Sequence, residues 1–151
     1  MKNIKFRGKP TENNTSYIEE EFVYGSLVIS NGKYYITLNV NDNINRDDYE
    51  VYMIEVIPET VGQYTGLNDE NGKEIYEGDI IEFSYDMFVG NFDTFVAKGK
   101  VVFEEGAFYV EVFENERTTE DEAYLLYSIN LDTIEVIGNI YKHSDLVKEE
   151  C

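Results

Sequence analysis

Cysteine, histidine and positive charge are all scarce in this chain, and each shortage closes off a class of function. The 151 residues hold one cysteine, the terminal Cys151, so no internal disulfide can form and a reducing compartment fits. The single histidine, His143, excludes a two-histidine metal site and most triad chemistry, and it reads as a surface residue near the carboxy terminus. The opening residues lack an apolar signal core, and no run approaches the ~20 apolar residues of a membrane span. The expected location is therefore cytoplasmic, with no membrane partner. Only 12 lysines and arginines stand against 31 aspartates and glutamates, a net charge of −19. Such a field repels phosphate backbones and disfavours direct nucleic-acid binding through a broad basic face.

What the chain does have is aromatic and β-branched side chains. Tyrosine (13) and phenylalanine (9) make up the 15% aromatic share, and both favour strands. Ile4 and Phe6 alternate with Lys5 and Arg7, which predicts a short one-faced strand. Two β-rich runs, residues 22–29 and 33–40, flank Ser30-Asn31-Gly32, where Asn-Gly supplies the positive φ angles of a tight hairpin. Residues 11–16 and 41–48 read as loops, and residues 49–57 as a strand stopped by Pro58.

Residues 61–67 and 73–76 form a second predicted hairpin around a loop at 68–72, and Glu77-Gly78-Asp79 reads as a tight turn into a further strand. Gly78 is expected to hold a conformation that other residues resist, and the Asp79 carboxylate to cap nearby amides. Residues 85–94, with Gly90 and Asn91, suggest a loop lined by Met87, Phe88 and Phe92. Residues 95–103 and 107–113 form a third hairpin. Thr119 and Glu122 have capping-box spacing, which predicts one short helix over 119–127. Residues 134–141 close the fold as a strand, and Ser144 caps a short tail helix. The sequence Ile-Glu-Val-Ile occurs at 54–57 and again at 134–137, which reads as two similar strands entering one sheet system.

The fold class that results is mainly β: antiparallel hairpins forming a small SH3-like or partly open barrel, plus an N-terminal β lobe and the short helix near 119–127. One domain is expected, with an N-terminal β lobe at about 1–57, a barrel-like lobe at about 58–143 and a tail at 144–151.

Motifs that would carry chemistry fail on spacing. Residues 66–74 have five residues between the glycines rather than the four of a phosphate loop, and Glu74 stands where Ser or Thr must meet magnesium. Two stretches suggest calcium, but Arg46 and Tyr52 break the first pattern, while Leu67 and Gly78 break the second. No catalytic residue, metal ligand or cofactor is therefore assigned. Carboxylate pairs abound, and that abundance prevents naming one as an acid/base couple.

The strand and turn residues carry a resemblance. Ile4-Lys5-Phe6-Arg7, Phe22-Val23-Tyr24-Gly25-Ser26-Leu27, Gly62-Gln63-Tyr64-Thr65-Gly66-Leu67 and Gly72-Lys73-Glu74-Ile75-Tyr76-Glu77-Gly78-Asp79-Ile80 resemble blocks of the YopX family of phage and prophage proteins, in the same order. Residues 134–141 resemble its closing strand. Gly62, Tyr64, Thr65, Gly66, Gly72, Tyr76, Gly78 and Asp79 stand as the signature, and they are turn and strand determinants. The resemblance implies a β-rich, homo-oligomeric protein in a bacterial host cell, and it brings no catalytic residue to carry over.

The leading expectation is a non-enzymatic accessory protein acting as an acidic homo-oligomeric interaction module. Its partners would be further copies of itself and a host or phage protein, with Lys5, Arg7, Tyr24 and Tyr34 as candidate interface residues. Two alternatives stand beside it. One is an anionic DNA mimic that occupies a host nucleic-acid-handling protein, and the other is a carboxylate-dependent hydrolase.

Overall fold

The computed structural model describes residues 3–12, 21–38 and 52–142, and the side chains of all but Tyr52 and Val89 within them. The readings made above for 13–16, 41–48, His143 and the tail 144–151 lie outside these residues. The architecture is mainly β, built of antiparallel sheets, one of them curled as a half-barrel, with no long helix. Among the described residues no helix is long and apolar enough to cross a membrane. The chain divides into two compact units, Met1–Tyr64 and Thr65–Cys151.

In the first unit, β1 (Phe6–Gly8) lies between β2 (Val23–Ser30) and the start of β5 (Gly62–Asn68), pairing antiparallel with both. β2 turns into β3 (Lys33–Leu38), which pairs with β4 (Tyr52–Val56). The β2–β3 turn is the expected one: Asn31 and Gly32 both have positive φ, 52° and 76°. The chain leaving β1 then reaches β4 from its other side. Pro10 bridges Val56, the Ile57 amide donates to the Lys9 carbonyl (2.8 Å), and the Thr11 amide donates to the Glu55 carbonyl (3.0 Å). The strand sequence β1-β2-β3-β4 thus closes on itself around Val23, Ile36 and Val56.

Two glycines permit that closure. A Cβ on Gly25 would stand 2.0 Å from the Thr37 carbonyl oxygen, and one on Gly8 would stand 2.9 Å from the Val56 side chain. Neither position has room for a methyl group without moving a neighbouring strand or side chain.

In the second unit, the last residues of β5 turn into β6 (Glu74–Tyr76), and a tight turn at Gly78 launches β7 (Asp79–Val89). β7 pairs with β8 (Asn91–Glu104), which pairs with β9 (Ala107–Asn115), then β10 (Glu122–Leu125); β11 (Glu135–Asn139) covers the opposite side of β7. Ile75, Ile81, Phe83, Val101, Val110, Leu126 and Ile134 form the core. Burying such side chains contributes roughly 1.5–3 kcal/mol each.

Three expectations are corrected. The helix expected at 119–127 is instead strand β10 followed by one 3-10 turn, Leu126–Ser128. A two-turn helix is marginal alone, whereas pairing Glu122–Leu125 against Val112–Tyr109 sets Tyr124 edge-on to Phe83. The segment 85–94 is not a loop, because β7 and β8 continue through it with Tyr85 opposite Phe95 and Phe88 opposite Phe92. The repeated Ile-Glu-Val-Ile enters two different sheets: its first copy lies at β4 and its second at β11.

Gly25→Ala is expected to lower unfolding stability by about 2–3 kcal/mol, because the added methyl group meets a backbone carbonyl that cannot yield without shifting β3. Urea denaturation of the variant measures this; a change within experimental error would contradict the close approach.

Candidate functional site

The signature residues are placed where backbone must be organised. In the first unit Gly62 pairs with Arg7, and Tyr64 lies beneath the Lys5 ammonium, 5.2 Å from the ring centre. In the second, the Thr65 hydroxyl donates to the Ile75 carbonyl (2.8 Å), and Gly66 and Gly72 take positive φ in and after β5. Asp79 is buried and its carboxylate accepts from the Tyr76 amide (2.8 Å), while Gly78, at φ 93°, sits against the Tyr141 ring.

Asp69, which lies in the second of the two stretches that fail as calcium loops, has a different task. It is buried; one carboxylate oxygen accepts from the Asn71 and Lys73 amides (2.9 Å each), and the other accepts from the Val136 amide (3.0 Å). Both oxygens are thus occupied by main-chain donors. Among the described residues no group of three or more His, Cys, Asp or Glu side chains is arranged to hold a metal ion.

The four candidate interface residues fall in different environments. Arg7 is only 4% exposed, with its guanidinium 4.2 Å above the Phe22 ring. Tyr34 packs against the first unit's core, and Lys5 lies on Tyr64. Tyr24 alone is open to water, at 44%. The register sets Ser26, Thr37 and Met53 side by side on the face opposite the core residues Ile36 and Val56, and Met53 is exposed as well.

Sequence reasoning missed a polar cluster in the second unit. Arg117 donates through Nε to the Tyr85 hydroxyl (3.0 Å) and through a terminal nitrogen to Glu122 (2.5 Å). The other Glu122 oxygen accepts hydrogen bonds from the Tyr124 hydroxyl and the Asn115 side-chain amide, and Tyr85 donates to Asn115 (2.8 Å). The hydrogen bond from Tyr124, with help from Arg117 and against partial desolvation, holds Glu122 below the usual carboxylate range. Desolvation, then the neighbouring Glu122 charge, pushes the Tyr124 hydroxyl up. Bonds to Tyr85 and Glu122 push Arg117 up, so it stays charged at any working pH. These groups stabilise one another's present protonation states and leave no proton poised for transfer near neutral pH.

Beside this cluster is a groove of about 290 Å³, lined by Phe83, Tyr85, Tyr124, Ile129 and the polar edge Ser128, Asn130 and Thr133. The hydroxyls of that edge serve the backbone: Ser128 donates to the Leu125 carbonyl (2.6 Å), and Thr133 bonds the Ser84 and Asn130 carbonyls (3.1 and 2.7 Å). What remains for a ligand is an aromatic wall edged by the exposed Asp86, one of whose oxygens accepts from the Thr94 hydroxyl (2.6 Å). The only sequence signal for it was the tyrosine content, which does not distinguish core from surface.

Beyond the groove, β7 and β8 continue as a two-stranded ribbon ending at Gly90. Near its tip Phe88 and Phe92 pack edge-on with ring centres 5.3 Å apart, and they are 64% and 78% exposed.

A YopX-protein family model matches the chain over residues 5–148. Comparison with curated proteins finds no match.

Two outcomes check this account. Asp69→Ala is expected to cost on the order of 3 kcal/mol in unfolding stability, since three amides lose a charged acceptor, with Asp69→Asn milder. Glu122 titrates below an ordinary carboxyl, so its stabilising contribution is present above the unfolded value of 4.5 and is lost as pH falls through the lower folded value. Glu122→Gln should therefore lower the thermal midpoint by about 2–4 °C at neutral pH, with the difference disappearing in strong acid. A difference that persisted unchanged into acid would contradict the ionised pair.

Proposed function

The chain belongs to the YopX family, and on that premise we propose that it works by association rather than by turning over a substrate. The role is that of an acidic homo-oligomeric interaction module, made by a phage or prophage and acting in the cytoplasm of the bacterial host. One observation carries this reading. The Ser128 and Thr133 hydroxyls of the groove and the charged pair of its neighbouring cluster are committed to bonds within the fold, whereas large apolar side chains (Tyr24, Met53, Phe88, Phe92) are left facing water. Exposed aromatic and methionine side chains are the composition of interface centres, where hydrophobic area without charge does the binding.

The charge acts as a brake on that association. Copies carrying −19 each repel at long range, so assembly must come from short-range apolar contact and must be easily reversed. Light scattering and sedimentation velocity across the micromolar range should show reversible, concentration-dependent assembly. A chain that stays strictly monomeric at high micromolar concentration would overturn the reading.

A further inference from the structure

The β7–β8 ribbon outruns its neighbours. β11 pairs with β7 only as far as Glu82, and β9 pairs with β8 only from Ala97 onward. Past Ser84 and Val96, residues 85–89 and 91–95 form a two-stranded arm, roughly 17 Å long at the rise of an extended strand. Among the described residues no third strand flanks it. An isolated two-stranded hairpin is at best marginally stable in water, so this arm stands to gain from a third strand.

Hydrogen bonding fixes which backbone groups the arm turns outward. The Val96 amide and carbonyl both bond Glu116, on the β9 side (2.9 and 3.1 Å). The Ser84 carbonyl takes the Thr133 hydroxyl, on the β11 side (3.1 Å). Ser84 and Val96 are cross-strand partners, so at this pair both peptide groups point away from the ribbon. That orientation alternates along a strand. Tyr85 and Met87 therefore bond toward β8, while Asp86 and Phe88 present amide and carbonyl to the outer edge of β7. The groove runs along that same edge. Phe83, Ser84, Tyr85 and Asp86 all line it, although consecutive side chains point to opposite faces, and only the rim of a strand is within reach of both.

Charge selects the occupant. Residues 74–97 and 118–141, which supply the edge and the groove, contain no lysine or arginine. Asp86, Asp132 and Glu135 are exposed on these segments. One Asp86 oxygen accepts from the Thr94 hydroxyl (2.6 Å), and among the described residues no bond reaches the other. A carboxylate beside Tyr85 and Tyr124 suits a lysine or arginine, whose stem packs on aromatic surface while its charge meets the acid. At about 290 Å³ the groove admits one such side chain, not a folded surface.

We propose that the outer edge of β7 is a strand-addition site for an extended, basic segment of a partner protein. The segment's main chain pairs with Asp86 and Phe88 and continues the sheet past the point where Thr133 closes it. Asp86 and Phe88 lie two residues apart on one face. The segment therefore carries a lysine or arginine beside Asp86 and, two residues away, an apolar side chain beside Phe88. That contact covers part of a ring that is 64% exposed. The site goes beyond the homo-oligomeric reading, because a single copy presents it complete.

Amide hydrogen exchange of the full chain, followed by NMR with a short synthetic peptide of alternating lysine and valine, tests this. Without peptide the Asp86 and Phe88 amides should exchange unprotected, and at saturation they should slow by about 10-fold or more. A peptide of alternating glutamate and valine should not bind. The lysine peptide with every amide N-methylated keeps its charge and loses its donors, and should bind about 10-fold more weakly or worse. Asp86→Asn should keep its thermal midpoint, since the side chain is exposed, and weaken the lysine peptide about 5-fold. Equal binding of the methylated peptide would mean adhesion to an acidic surface and overturns strand addition. Failure of the lysine peptide to bind, or binding of the glutamate peptide, overturns the basic occupant. Protection of the Asp86 and Phe88 amides in the free chain would show that the chain or a second copy already covers the edge, and overturns the proposal as well. Each of these outcomes leaves self-assembly to light scattering, whereas a strict monomer that binds the lysine peptide overturns only the homo-oligomeric reading.

Discussion

The Asp69 carboxylate is the interaction on which most of the second unit depends. Its two oxygens accept three main-chain hydrogen bonds, two from the turn that joins β5 to β6 and one from Val136 in β11. A tight turn and a strand separated by 67 positions are thus held by one buried charge. The charge can be buried because main-chain donors replace water around it. The Glu70 amide adds a bond to the Ile134 carbonyl, reinforcing the same junction (2.8 Å). Once β11 is fixed there, it covers the start of β7, and the core of Ile75, Ile81 and Ile134 can close.

Much of this was legible from residues whose physics is local. Asn31-Gly32 and Gly78-Asp79 gave turns that the structure contains, because positive φ and side-chain capping are decided within a few residues. What could not be read locally were choices made by distant partners. Thr119 and Glu122 carry a helix signal, but Glu122–Leu125 had a strand edge available on β9, and the ladder prevailed over the cap. Residues 85–94 looked irregular because Gly90 and Asn91 fall within them, whereas cross-strand aromatic pairs carry the hairpin through. Asp69 was invisible as a clamp because Val136 is remote in sequence. The Arg117–Glu122–Tyr124 cluster was hidden for the same reason, since Tyr85 joins it from another strand.

The distribution of polar groups gives the molecule its character. Acids pair with most of the described lysines at the surface, as Lys98 with Glu114 and Lys100 with Glu111, and such exposed pairs contribute little each. The carboxylates that matter most to the fold, Asp69 and Asp79, bond amides instead. The net charge of −19 makes copies repel at long range, while the large apolar side chains that face water, Tyr24, Met53, Phe88 and Phe92, carry none of it. Charge and exposed apolar area thus lie on different residues.

The return of the chain along β4 has a further consequence. Residues 9–11 occupy the side of β4 that would otherwise present bare amides and carbonyls, with Pro10 placed at the bridge. A strand covered on both sides cannot template another chain, and proline there cannot donate to one. This cover excludes β4 from strand-by-strand polymerisation.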